Sequence, residues 1–195
     1  LTKIKICGLT RVEDIEAVNI EKPDYIGFVF AESVRKITPD KALKLRRLLN
    51  PDIVPVGVFV NEMIETILSI LKAGAIDVVQ LHGAENDDYI LKLKSLSNKP
   101  IIKAYGNVNS PADYLLFDSI TPGSGQTFDW NSIEQTGREF FLAGGLNPEN
   151  VAEAIAKTSP FAVDVSSGVE TNGLKNPTKI KKFIKNAKGI DKHAQ

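Results

Sequence analysis

Eight short apolar runs, set apart by helical patterns, restrict this chain to very few folds. They centre on Ile4, Ile26, Val56, Val78, Ile101, Leu115, Phe141 and Val163. The runs at 25–30 and 54–60 are apolar almost without interruption. A strand with one wet face alternates apolar and polar residues. A strand covered on both faces does not, and helix-wrapped parallel sheets are built from such strands. Helix-start signals fall between the runs. Thr10 and Glu13 have capping-box spacing ahead of Val12, Ile15 and Val18. Thr38-Pro39 reads as a cap with proline at the first helical position, before Ala42, Leu45 and Leu49. Asn61 precedes Ile64, Ile67, Leu68 and Leu71, with Gly74 as a stop. Asn147-Pro148 and Asn176-Pro177 repeat the cap-then-proline signal.

Such alternation gives either a (β/α)8 barrel or a doubly wound open sheet. The count of eight favours the barrel. So does the first turn, Cys7-Gly8-Leu9-Thr10, which lacks the G-x-G-x-x-G of a dinucleotide fold. The expectation is an α/β chain forming a single (β/α)8 TIM barrel domain over residues 1–195. It must be lean, because 195 residues fall short of the roughly 250 typical of this fold. The centres Ile101 and Leu115 lie too close for a crossover helix, so the fifth helix is expected to be missing or reduced to a turn. The polar tail over 188–195 reads as frayed.

Composition removes several function classes. The chain has 24 Lys and Arg against 24 Asp and Glu. With no net charge it has no general pull on nucleic acid or an anionic membrane, and any anion must be held locally. A lone cysteine forms no internal disulfide, and one Cys with two His (His82 and His193) makes no zinc cluster. No apolar run reaches the ~18 residues of a membrane span, and no signal-peptide core is visible. These features predict a cytoplasmic protein with no nucleic-acid or membrane partner.

Barrel enzymes place their chemistry at the carboxyl ends of the strands. The first run ends in Cys7. Ser33 and Arg35 follow the second, Asn61 the third, Gln80 and His82 the fourth, and Asp118 the sixth. A glycine-rich stretch over 122–130 comes next. The seventh run ends in Ala143-Gly144-Gly145-Leu146-Asn147 and the eighth in Asp164-Val165-Ser166-Ser167-Gly168-Val169-Glu170. Glycine and small residues let backbone N–H groups approach an anion closely, and loops after the seventh and eighth strands often hold phosphate in this fold. Gly144, Gly145, Ser166, Ser167 and Gly168 are therefore the expected phosphate-binding residues. The plainer alternative is a pair of tight turns.

Seven stretches in order give a resemblance: Lys5-Ile6-Cys7-Gly8, Gly27-Phe28-Val29-Phe30 with Ser33 and Arg35, Val56-Gly57-Val58-Phe59-Val60-Asn61, Val79-Gln80-Leu81-His82-Gly83, Gly123-Ser124-Gly125 with Phe128-Asp129-Trp130, Leu142-Ala143-Gly144-Gly145-Leu146, and the eighth-strand stretch above. Together they resemble the phosphoribosylanthranilate isomerase family of tryptophan biosynthesis. The resemblance implies an Amadori rearrangement with Cys7 as base and Asp129 as acid, Arg35 on the anthranilate carboxylate, and Asp164, Gln80 and His82 around the substrate. It implies neither metal nor organic cofactor, because the iminium intermediate is its own electron sink. A small phosphorylated partner and a monomer or homodimer are likewise what the resemblance implies. Each residue also has a plainer reading: Cys7 as an inert buried thiol, Asp129 and Asp164 as helix caps, Arg35 as a solvated arginine, His82 as a structural histidine. Gln126 and Asn176 depart from the Lys and Asp of many relatives. An imidazole-pathway isomerase, a sugar-phosphate epimerase and a catalytically silent phosphate-binding barrel are the rival readings. The first lacks its expected two-fold internal repeat and the second its metal ligands.

Overall fold

Side-chain alternation along each strand explains how the chain closes. A computed structural model describes residues 1–105, 107–118 and 137–189. Eight parallel strands form a closed barrel in chain order: β1 (Lys3–Cys7), β2 (Tyr25–Val29), β3 (Val54–Phe59), β4 (Val78–Leu81), β5 (Ile101–Ala104), β6 (Tyr114–Phe117), β7 (Phe140–Leu142) and β8 (Ala162–Val165). Every strand contains the centre expected for it. One set of residues, including Ile4, Ile6, Ile26, Phe28, Val79, Leu81, Leu115 and Val163, packs outward under the helices. The alternate set, including Val56, Val78, Ile102, Leu116, Phe141 and Ala162, fills the barrel interior. Both sets must be apolar, so the strands read as continuous apolar runs. Tyr25, Tyr114, Phe141 and Phe161 make edge and stacked contacts within the inner set.

Helices α1 (Val12–Glu21), α2 (Pro39–Arg46), α3 (Ile64–Lys72), α4 (Asp87–Leu96), α5 (Val151–Thr158) and α6 (Pro177–Gly189) follow β1, β2, β3, β4, β7 and β8. No helix is present among the described residues between β5 and β6, as the short spacing requires. The Arg138 guanidinium serves this bare loop instead, donating to the carbonyls of Val108 at 3.0 Å, Ser110 at 2.7 Å and Ala112. Residues 119–136 contain Gln126 and Asp129, and those two sites lie outside the described residues.

Several helix starts differ from expectation. The α1 box is shifted by one residue: Asp14, not Thr10 or Glu13, accepts from the N–H groups of Thr10 (2.9 Å) and Arg11 (3.0 Å). Asp14 is consequently buried, whereas Val12, expected on the apolar stripe, is 46% exposed. Thr38 caps α2 as read, accepting from the Lys41 N–H at 3.2 Å. Asn61 does not cap α3. It sits in the left-handed region (φ 51°) and takes the Ala84 N–H at 2.8 Å, tying the ends of β3 and β4 together. Asn147 folds a turn onto the N–H groups of Glu149 and Asn150, and α5 begins after Asn150.

A two-stranded hairpin after β8 was not anticipated: β9 (Glu170–Thr171) and β10 (Leu174–Lys175), joined by Asn172-Gly173. Both turn residues have positive φ, 52° and 76°, as a primed two-residue turn demands. Upstream of it, a Cβ on Gly168 would lie 1.9 Å from the Leu146 carbonyl oxygen. The loops after β7 and β8 therefore pack backbone against backbone. Gly168→Ala is expected to cost about 1–3 kcal/mol or more through overpacking. Thermal denaturation checks this, at roughly 2–4 °C per kcal/mol for a chain of this size.

Candidate active site

Toward the carboxyl ends of the strands the barrel interior turns from apolar to polar. Strand period places Lys5 and Cys7 on the same inward face of β1. Lys5 is fully buried, and it stands beside Asp164 in the β1–β8 register. Its ammonium donates to Asp164 Oδ2 at 2.5 Å and Gln80 Oε1 at 2.6 Å, and its charge acts on the Cys7 thiol two residues on. Burial works to lower the ammonium pKa, but Asp164 and Cys7 outweigh it and hold Lys5 above the ordinary lysine range. Lys5 is thus a fixed cation beneath the thiol.

Cys7 is half-buried and is the only cysteine of the chain. Its place exists because its β2 partner is Gly27, where a Cβ would come within 2.5 Å of the sulfur. Loss of hydration pushes the Cys7 thiol up, and Asp164 adds to this; Lys5 and Lys175 pull the other way without prevailing. An ordinary cysteine is already mostly thiol at neutral pH, and burial reinforces that form here.

A relay of hydrogen bonds crosses the pocket floor from Lys5. The ammonium can only donate, so Gln80 must turn its oxygen to it. The Gln80 amide nitrogen then faces His82 Nδ1 at 3.0 Å and donates to it. This leaves the ring proton on Nε2, 3.5 Å from Asp118 Oδ2. Tyr105 meets the imidazole edge-on, with centroids 5.5 Å apart. Asp164 Oδ1 is buried without a hydrogen-bond partner among the described residues. Such an acceptor is costly unless a ligand satisfies it.

These groups line one cavity of about 290 Å³, with Cys7, Gln80, His82 and Asp164 at its base, Arg35 on one wall, and Gly144, Gly145, Ser166 and Ser167 at one end. Gly144 and Gly145 both have positive φ (85° and 66°). Gly168 is not part of the wall; its role is the close loop contact described above. Arg35 reaches the cavity over Gly8, where a Cβ would meet Arg35 Cδ at 2.5 Å. Its guanidinium is held by Glu170, Nε to Oε1 and Nη2 to Oε2, each at 2.7 Å. Lys175 Nζ reaches Glu170 Oε1 at 2.6 Å and also the Ser166 carbonyl and hydroxyl.

A family model for N-(5′-phosphoribosyl)anthranilate isomerase matches residues 4–186. The chain belongs to this family. Among phosphoribosylanthranilate isomerases, the protein of Endomicrobium trichonymphae is 48% identical over 195 positions, covering 95% of this chain and 98% of that one. The crystal structure of the Thermotoga maritima isomerase superposes with a TM-score of 0.89 at 42% identity, over 97% of this chain and all of the other. A structure of the isomerase in complex with reduced 1-(o-carboxyphenylamino)-1-deoxyribulose 5-phosphate superposes at 0.85 with 40% identity, again over 97% and 100%. The isomerase fold thus brings together every site residue read from sequence that falls among the described residues, apart from Gly168. Lys5, Glu170 and Lys175 were not singled out. Lys5 carried one signal, its place two residues before Cys7, and the hairpin carried another, the Asn172-Gly173 pair.

Proposed function

We propose that this isomerase converts N-(5′-phosphoribosyl)anthranilate to 1-(2-carboxyphenylamino)-1-deoxyribulose 5-phosphate by general acid–base catalysis. The observation that carries the reading is one cavity with a thiol at its base, a guanidinium on its wall and two glycine-bearing loops at its end. The loops at Gly144-Gly145 and Ser166-Ser167 offer backbone N–H groups to the phosphate. Arg35 takes the anthranilate carboxylate, a pairing that a planar guanidinium suits. Asp164 Oδ1, without a partner, accepts from a substrate hydroxyl or N–H.

The reaction then needs an acid and a base. Asp129 protonates the furanose ring oxygen, the C1′–O bond breaks, and an iminium forms with the anilino nitrogen. Cys7 removes the C2′ proton, leaving an enolamine. Protonation at C1′ and loss of the enol proton give the ketone. The thiol is neutral at rest, so the base form must be generated in the complex. The Lys5 ammonium, two residues before Cys7 on the same inward face of β1, offsets the charge that appears.

Purified protein is expected to consume phosphoribosylanthranilate with loss of its anthranilate-type fluorescence; no loss overturns the reading. Asp129→Asn is expected to lower kcat by about 10²–10⁴-fold, the usual contribution of a general acid. A near-normal rate would move that role to another residue.

A further inference from the structure

We propose that the β9–β10 hairpin makes this site selective for a carboxylate-bearing substrate: Glu170 orients Arg35, and Lys175 cancels the charge of Glu170 so that Arg35 keeps its own. The inference rests on the reading that Arg35 receives the substrate carboxylate.

A guanidinium has two edges able to grip a carboxylate. Glu170 occupies the Nε/Nη2 edge. The Nη1 group makes no hydrogen bond among the described residues, so the Nη1/Nη2 edge stays open for a second carboxylate. Taken alone, the Arg35–Glu170 pair is neutral and attracts an incoming anion weakly. Lys175 changes the sum. It is the direct cross-strand partner of Glu170, and its side chain is only 2% exposed. The three charges add to +1, and Arg35 alone of the three lines the cavity. The Asn172-Gly173 turn sets the register that places Lys175 opposite Glu170. Gly8 leaves the room in which the Arg35 stem lies. Burial works to raise the Glu170 carboxyl, yet its bonds to Arg35 and Lys175 hold it below the ordinary range, and it is ionised at neutral pH.

Lys175 and Glu170 are thus positioning residues for Arg35. The test compares two ligands by titration calorimetry: reduced 1-(o-carboxyphenylamino)-1-deoxyribulose 5-phosphate and its counterpart without the ring carboxyl. Lys175→Met is expected to lower the preference for the carboxylated ligand by about tenfold, in line with a charge-assisted bond. Lys175 also holds Ser166 of the phosphate loop, so both ligands lose some affinity in common, and that shared loss cancels in the preference. The double variant Lys175→Met/Glu170→Gln removes both flanking charges, returns the sum to +1, and is expected to recover part of the preference. Lys175→Arg keeps the charge and the preference, and it serves if Lys175→Met does not fold. Equal weakening of both ligands, or a double variant no more selective than Lys175→Met, overturns the proposal. Arg35→Met reports separately on the underlying reading: if it leaves the preference intact, the carboxylate lies elsewhere.

Discussion

Replacing Cys7 by alanine is expected to lower kcat by about 10²–10⁴-fold, the range for loss of a general base, while the barrel stays folded. Alanine leaves Gly27 uncrowded and introduces no new polar group, so circular dichroism should be unchanged. A variant retaining full turnover would remove Cys7 from the mechanism. The pH profile sharpens the test. Loss of hydration pushes the thiol up, so in the free enzyme the thiolate fraction grows with pH across the neutral range. While the thiol is mostly protonated, kcat/KM should climb about tenfold per pH unit. The lone cysteine lets the ionisation be followed directly by thiolate absorbance, with Cys7→Ala as the blank. Stability carries the opposite sign. A folded-state pKa raised above the unfolded one gives stability that is complete below about pH 8.5. That contribution is lost as pH rises through the folded value. The alanine variant should lack this alkaline loss.

Lys5→Met is expected to be the most destabilising of the site substitutions. It leaves the Asp164 carboxylate buried, with Oδ1 already unpartnered and Oδ2 now unpaired too. Breaking one side of a buried pair costs about 3–5 kcal/mol. At roughly 2–4 °C per kcal/mol, thermal denaturation should show a fall of several degrees or more. The double variant Lys5→Met/Asp164→Leu should recover much of that, because well-packed apolar replacements for a buried pair are often close to neutral. A single variant as stable as the parent would mean that the pair contributes little. Turnover of Lys5→Met should fall even when measured well below its melting point, because the cation that offsets a Cys7 thiolate is gone.

Much of the fold could be read from the chain, because burial on both faces leaves a strong mark. Each of β1 to β8 lies on an apolar run, and the short interval from Ile101 to Leu115 leaves no space for a helix. Capping was less legible. Thr10 and Glu13 match the capping-box pattern, but Asp14 wins the N–H groups because it can be buried with Arg11 as its partner at 2.7 Å. Asn61 looks like a cap, yet it is used to join two strand ends. Within the site, strand ends located Cys7, Gln80, His82 and Asp164. What they missed was charge placed away from the expected ligand groups. Lys3 and Lys5 look alike in sequence and share a face. Lys3 lies at the open base beside Asp24, whereas Lys5 lies one layer up, where Asp164 and Gln80 accept from it. Glu170 and Lys175 are distant from Arg35 along the chain, and only the hairpin brings all three together.

The Lys5–Asp164 contact has a consequence for how this molecule becomes active. The two residues are 159 positions apart, and their strands form the seam at which the first and last strands of the barrel meet. The entropy of closing so long a loop must be overcome before this contact can form. Neither half of the chain can hold Cys7 in its final surroundings. As the ring opens at β1 and β8, Lys5 loses its Asp164 partner and the thiol loses its cover, and the sulfur returns to the ordinary reactivity of a solvated cysteine. Catalytic competence and completion of the ring are therefore one event, and alkylation of a single sulfur reports when it happens.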